Sequence, residues 1–295
     1  MTPAIVYIAG AGRSGSTLLD NLLGAADGWF SAGELRLLWA GRQMWTHRCG
    51  CGEPLRSCPV WTSVLDRAGL DVAEMAALQE RLARGRSAGL VATAGGRDAR
   101  ARYVAGLQVL HQAIADTTGA AVVVDSSKSP AGAVLTIDTG APVTVVHLVR
   151  DPRAVAWSWR RTAAREDGDG DGAPFGPRSA MVSTTEWLIT NAAIEVDRRR
   201  RPGAAWIRIR YEDLVTDPAS ALTAIRRAGP GAETVIPLPD SLPTNHTAAG
   251  NPSRFRTGPL SLRNDDEWRQ RLARRDRRLV TGLAAPFLWR YGYGS

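Results

Sequence analysis

Lysine is almost missing from this chain: of 37 cationic residues only Lys128 is a lysine, and all the others are arginines. Arginine usage on that scale weakens arguments from charge, but it makes the single lysine a position to explain, because an ammonium is a compact point charge rather than a planar fork. Cysteine is scarce too. Cys49, Cys51 and Cys58 stand close together, so no disulfide framework holds the fold. No segment approaches the roughly 20 apolar residues that span a bilayer. The strand-like run Ala4-Ile5-Val6-Tyr7-Ile8-Ala9 has no basic flank or cleavage pattern before it, so the expected setting is soluble and cytoplasmic. With 44% apolar and 22% charged residues, neither a disordered nor a fibrous class is indicated. The net charge of +8 favours anionic partners. No basic tract is interleaved with aromatics, however, as a stacking platform for nucleic acid would require.

What the chain does have is alternation. Mostly apolar runs at 4–9, 121–125, 143–149 and 204–210 read as buried strands, and helical spacing recurs at 16–23, 71–84, 98–116, 179–200, 217–228, 265–280 and 283–290. Gly24 stops the first helix, and Asp151-Pro152 reads as N-cap and first helical position. Such alternation predicts the α/β class, with a central parallel sheet flanked by helices in one P-loop-like domain over residues 1–295. The stretch from Trp29 to Trp61, broken by Gly and Pro, has no readable period.

In sheets of this kind a ligand lies beyond the carboxyl ends of the strands. The polar groups emerging there are the loop after the first strand, Asp125-Ser-Ser-Lys128, Arg150-Asp151 and Tyr211-Glu-Asp213. The loop, Ala9-Gly-Ala-Gly-Arg13-Ser14-Gly15-Ser16-Thr17, fits the phosphate-cradle pattern G-x-x-x-x-G-K-[ST] at Gly10, Gly15 and Thr17. Ser16 stands where the lysine belongs. Backbone amides at a helix start, three hydroxyls and Arg13 can still hold an anion; the plainer reading is a tight strand-to-helix turn. Further on, Arg150 at a strand end and Ser158 two helical turns later can meet a second phosphate, against the plainer reading of a surface cation and a packed serine.

Together these elements resemble the sulfotransferases that use 3′-phosphoadenosine 5′-phosphosulfate (PAPS), including the branch acting on carbohydrates and protein tyrosine. The resemblance rests on Arg13-Ser-Gly-Ser-Thr17, on Arg150-Asp-Pro-Arg through Ser158, on Tyr211-Glu-Asp213, and on Asn245-His-Thr-Ala-Ala-Gly-Asn-Pro-Ser-Arg254. It implies that the first motif holds the 5′-phosphosulfate and that Arg150 and Ser158 hold the 3′-phosphate. Tyr211 then meets adenine, while Gly250, Asn251 and Arg254 belong to a loop closing over the donor. The missing lysine is accounted for, because a sulfuryl donor carries no γ-phosphate and needs no magnesium bridge; no metal is expected in the reaction.

For the chemistry, His47, His111, His147 and His246 have suitable pKa values but no positional argument. Glu34 lies at a Gly-Glu step like that of the family's base, and a carboxylate in a partly dry site has a raised pKa suited to base work; its plainer reading is an exposed helix cap. Lys128 matches the lysine that stabilises the transferring sulfuryl group, with Ser126 and Ser127 placed to orient it. Asp167-Gly-Asp-Gly-Asp-Gly172 begins like a calcium loop, but Arg178 takes the twelfth position, so the loop 166–177 reads as an acidic lid at the acceptor entrance. His47 with the three cysteines offers four zinc ligands at unusual spacing without a C-x-x-C pair; a local disulfide or reduced thiols is the preferred reading. The acceptor expected is a hydroxyl of a carbohydrate, glycolipid or small molecule, with tryptophans between 29 and 61 as possible cleft walls. Two rivals stand beside this: a P-loop kinase or ATPase with Asp125 on magnesium, and a nucleotide-binding protein without catalysis.

Overall fold

In a computed structural model, residues 1–39, 47–84, 94–161, 178–229 and 238–294 are described. Five parallel strands form the central sheet: β1 (Ala4–Ala9), β2 (Trp29–Gly33), β3 (Val122–Lys128), β4 (Val143–Val149) and β5 (Ala205–Arg210), in the spatial order β2-β3-β1-β4-β5. The apolar runs of β1, β3 and β4 become strands because each is buried on both faces by flanking helices, whereas β5, at the edge, is only half-buried. After β1 the chain moves to the β2-β3 side, and after β4 it moves to β5 on the other side. The loops leaving β1 and β4 therefore part company, opening a crevice where ligands bind in such sheets.

Helices α1 (Ser16–Gly24), α2 (Pro59–Ala68), α3 (Val72–Arg84), α4 (Ala94–Thr118), α5 (Pro130–Ile137), α6 (Pro152–Arg161), α7 (Ala180–Arg200), α8 (Tyr211–Thr216), α9 (Pro218–Ala228), α10 (Trp268–Arg271) and α11 (Arg274–Arg290) complete the frame. Alternation along β1 sends Val6 and Ile8 to one face, where Leu19, Leu22 and Leu23 of α1 and Leu222 and Ile225 of α9 cover them. On the opposite face Ile5 meets Leu110 and Ile114 of α4 and Trp61 of α2, while Tyr7 and Ala9 meet Ala133 of α5 and Ile194 of α7. Trp39 and Trp61 are core residues, not cleft walls. His111 and His147 are buried as well, His147 Nε2 lying 2.7 Å from Asn191 Oδ1, and burial pushes both imidazoles down to about 4.

Three expectations change. β2 is an additional edge strand within the stretch that has no readable period. Tyr211-Glu-Asp213 opens α8 directly after β5 instead of ending the strand. The two helices expected at 265–280 and 283–290 are instead the short α10 and a single α11, and the break falls at Leu272 and Ala273, whose backbones are extended. Gly282 and Pro286 fail to divide α11 because Val280, Ala284 and Leu288 form one buried stripe, the last two against Trp187, Val149 and Tyr291. A two-stranded antiparallel pair, β6 (Ser241–Leu242) with β7 (Gly258–Pro259), gathers residues 243–257 into a closed loop. Among the described residues no helix is long and apolar enough to cross a membrane.

Candidate active site

The loop between β1 and α1 is shaped by two left-handed residues, Arg13 (φ 68°) and Gly15 (φ 92°). Gly15 has no tolerated substitute: a Cβ there would overlap Tyr211 Cδ2 and stand 2.8 Å from Cε2, so the ring lies directly against the loop. Among the described residues no side chain caps α1, leaving its first-turn amides pointing out with the helix dipole behind them. Ser14 is buried, and its Oγ finds no partner among the described residues. An orphaned buried hydroxyl beside uncapped amides is what an anion site provides.

Arg150, buried at the end of β4, ties this loop to the rest of the rim. Its Nη1 donates to Arg13 O at 2.9 Å, its Nη2 meets Asp265 Oδ2 at 3.0 Å, and its guanidinium lies 4.3 Å from the Tyr211 ring centre. Its Nε is unpartnered among the described residues. Tyr211 thus sits between Gly15 and Arg150. Ser158 is half-buried on α6, next to Trp159, whose ring backs the loop and carries Arg13 at 4.7 Å and Arg178 at 4.1 Å. Sequence reasoning missed Trp159 and Asp265, which carry no motif; only the fold brings them here.

Glu34 follows β2 and is 6% exposed, which rules out the exposed-cap reading. Lys128, at the end of the neighbouring β3, pairs with its Oε1, and Arg36 Nη2 stands 3.1 Å from its Oε2. Burial pushes the Glu34 carboxyl up, but the Lys128 ammonium and the Arg36 guanidinium outweigh it and hold the group below its ordinary range. The expected raised pKa is therefore corrected: two cations decide the sign. Lys128 adopts φ 66°, an uncommon left-handed conformation for a residue with a Cβ. Ser126 and Ser127 do not serve it: Ser126 Oγ donates to Asp20 Oδ2 at 3.2 Å, and Ser127 takes Arg36 N on its hydroxyl at 3.0 Å and Arg36 Nε on its carbonyl at 2.9 Å. Arg36, two residues after Glu34, is the partner that sequence reasoning missed. Asp125 is buried, accepts from Ser127 N at 2.9 Å, and is pushed up to about 6 by burial.

The closed loop 243–257 covers these groups. Glu34 N donates to Ala249 O at 3.1 Å, and a Cβ placed on Gly250 would lie 3.8 Å from Thr17 Oγ1 and 3.9 Å from Glu34 Oε1. Gly250 therefore sits between the glycine loop and the carboxylate. Asn251 accepts from Ser253 N at 3.0 Å and starts a helical turn. Arg254 is buried and donates to Gly250 O at 2.7 Å and Arg48 O at 3.0 Å, bracing the cover from behind. The acidic loop 166–177 lies outside the described residues.

With the rim assembled, comparison with known proteins is decisive: a model of the sulfotransferase family matches residues 3–228. The chain belongs to the sulfotransferase family. It is an enzyme of sulfuryl transfer, built as an α/β sheet flanked by helices. The sulfotransferase domain from the Synechococcus PCC 7002 olefin synthase is similar at 20% identity with a TM-score of 0.51, over 97% of this sulfotransferase and 95% of that chain. The sulfotransferase domain from the curacin biosynthetic pathway is similar at 20% identity with a TM-score of 0.52, over 97% of each. Likeness at that identity speaks for the shared fold. A comparison with curated protein sequences finds no match.

Proposed function

We propose that residues 1–295 act as one transferase domain that moves the sulfuryl group of PAPS to a hydroxyl of a carbohydrate, glycolipid or small molecule, without a metal. The observation that supports this reading is the position of Gly250, where an added Cβ would come into van der Waals contact with both the phosphate-loop hydroxyl of Thr17 and the carboxylate of Glu34. Donor cradle and candidate base face one small space.

In this reading the amides of residues 15–17, with the hydroxyls of Ser14, Ser16 and Thr17 and the guanidinium of Arg13, bind the 5′-phosphosulfate. Arg150 and Ser158 take the 3′-phosphate. Tyr211, fixed between Gly15 and Arg150, offers its remaining ring surface to adenine. Gly250 and Asn251 close over the donor, and Arg254 positions them. The acceptor oxygen attacks sulfur in line, the sulfur–oxygen bond to the 5′-phosphate breaks, and the nucleotide leaves as the 3′,5′-bisphosphate. Glu34 takes the acceptor's proton. Lys128 moves from Glu34 toward the charge developing on the sulfuryl oxygens, and its departure makes Glu34 a stronger base at the moment one is needed. Transfer of this kind is mostly positioning and charge stabilisation, the same demands as phosphoryl transfer.

Calorimetric titration with 3′-phosphoadenosine 5′-phosphate, beside 5′-AMP and ATP and without magnesium, tests it. Binding that depends on the 3′-phosphate and is lost in Arg150→Ala supports the donor site. Preference for ATP would return Asp125 and the glycine loop to kinase chemistry, and loss of turnover without loss of binding in Glu34→Gln is required for its role as base.

A further inference from the structure

The fourth group beside the three cysteines is not the neighbouring His47 but His246, which arrives from the closed loop almost two hundred residues later. Cys58 Sγ is 3.4 Å and Cys49 Sγ 3.8 Å from His246 Nδ1, Cys51 Sγ is 3.9 Å from Cys58 Sγ, and all four atoms lie within 4.8 Å of one another. A tetrahedral zinc with sulfur at about 2.3 Å and nitrogen at about 2.0 Å requires sulfur–sulfur edges of about 3.8 Å and sulfur–nitrogen edges of about 3.5 Å. Those three edges match a zinc tetrahedron, and the remaining ones, none longer than 4.8 Å, close to its size with a small movement of side chains. They do not match a disulfide, whose sulfurs sit about 2.05 Å apart, and the three cysteines are unbonded.

We propose that Cys49, Cys51, Cys58 and His246 bind one zinc ion that clamps the cover of the active site to the 47–58 hairpin. Four protein ligands leave no open position, so the ion is structural, and the three-sulfur, one-nitrogen set selects zinc over the harder divalent cations. The backbone is built to bring the two segments together. In the hairpin Cys49 N donates to Glu53 O at 2.7 Å and Leu55 N to His47 O at 2.8 Å. Across the junction Gly50 N donates to Thr247 O at 3.0 Å and Trp61 Nε1 to His246 O at 2.6 Å. Contact is close enough that a Cβ on Gly50 would overlap Asn245 Oδ1. Two residues beyond His246, Ala248 N donates to Ala32 O at 3.0 Å and Ala249 O accepts from Glu34 N. The clamp therefore sets the chain that faces Glu34 and Thr17. This inference stands on the cluster's own geometry and does not depend on the donor being PAPS.

Elemental analysis of the full chain, purified under reducing conditions without chelator and then supplied with zinc, is expected to find one zinc per chain, with a thermal midpoint that rises with free zinc. Exchange with cobalt(II) should give thiolate charge-transfer bands and the intense visible bands of a tetrahedral site. His47→Ala should keep the metal and His246→Ala should lose it. If His246→Ala does not fold, the cobalt spectrum of the parent decides. Substoichiometric zinc after supplementation, a cobalt spectrum without thiolate bands, a Cys51–Cys58 disulfide found by mass spectrometry of the reduced-buffer protein, or loss of zinc in His47→Ala would overturn the assignment.

Discussion

Replacing Lys128 with methionine tests whether the pair with Glu34 is a buried, coupled unit. Methionine keeps an unbranched stem and the Cβ, so whatever the φ of 66° costs is unchanged, which a glycine would not allow. Removing one partner from a buried pair costs about 3–5 kcal/mol, because the other charge is left without compensation. Here Arg36 still holds Oε2 and the Lys128 side chain is 19% exposed, so about 2–3 kcal/mol is expected. Glu34→Gln leaves an ammonium that can turn to water and costs less, about 1–2 kcal/mol. The double variant leaves no unpaired buried charge at the Lys128 contact, so it should fall short of the sum by about 2 kcal/mol. The pH dependence has a definite sign. In the parent Glu34 sits below its ordinary 4.5, so its ionisation contributes stability above that pH and loses it as pH falls through the folded value. The deficit of Lys128→Met relative to the parent should therefore be full at pH 7 and narrow below about pH 4.5. Urea unfolding at both pH values measures it. Additive single and double variants, or a deficit that grows in acid, would refute the coupled pair.

Other expectations follow from single contacts. Gly15→Ala forces a Cβ into a left-handed position and against Tyr211, and should cost about 1–3 kcal/mol in urea unfolding; adding Tyr211→Leu should recover the steric part only, and a neutral Gly15→Ala would show that the loop conformation is wrong. Asp265→Asn frees Arg150 from a competing carboxylate and should tighten binding of 3′-phosphoadenosine 5′-phosphate by about threefold to tenfold in calorimetry; weaker binding would remove Arg150 from the 3′-phosphate. His111 is neutral when folded, at about 4 against an ordinary 6.5, so its burial costs stability as pH falls from 6.5 to 4, by at most about 3 kcal/mol. His111→Leu should flatten part of that acid slope in thermal melts, leaving the share of His147; an unchanged slope contradicts the burial argument.

The parts of the fold legible from sequence are those where burial on both faces forces a mostly apolar run, as at Val143–Val149. Strand β2 escaped because Trp-Phe-Ser-Ala-Gly is an edge strand paired on one side, half-buried at its start, with no run long enough to announce it. That omission hid the most consequential contact. Glu34 and Lys128 were recognisable one by one, but their pairing depends on β2 lying beside β3, and the sign of the Glu34 shift depends on Arg36 as well. The cysteine cluster failed in the same way. His47 was the nearest candidate along the chain, whereas His246 is nearest in space, and only the β6-β7 closure brings it there. Local pattern finds ligands on one segment; it has no means of finding a partner delivered by topology.

The family match ends at residue 228, and the residues that close over the candidate site lie beyond it. The glycine loop, Lys128, Arg150 and Ser158 belong to the matched span. Ala249 on the amide of Glu34, Gly250 between Glu34 and Thr17, and Asp265 on Arg150 do not. The sheet therefore supplies the charged groups, whose positions follow from strand ends, while the C-terminal segment decides how closed the space above them is. Because that segment is braced by Arg254 and, in the proposal above, by zinc, its height over Glu34 is set by groups that need never touch a substrate. Changes in the brace should then appear as altered turnover with the donor loop intact, whereas changes in the loop should appear first as lost donor affinity.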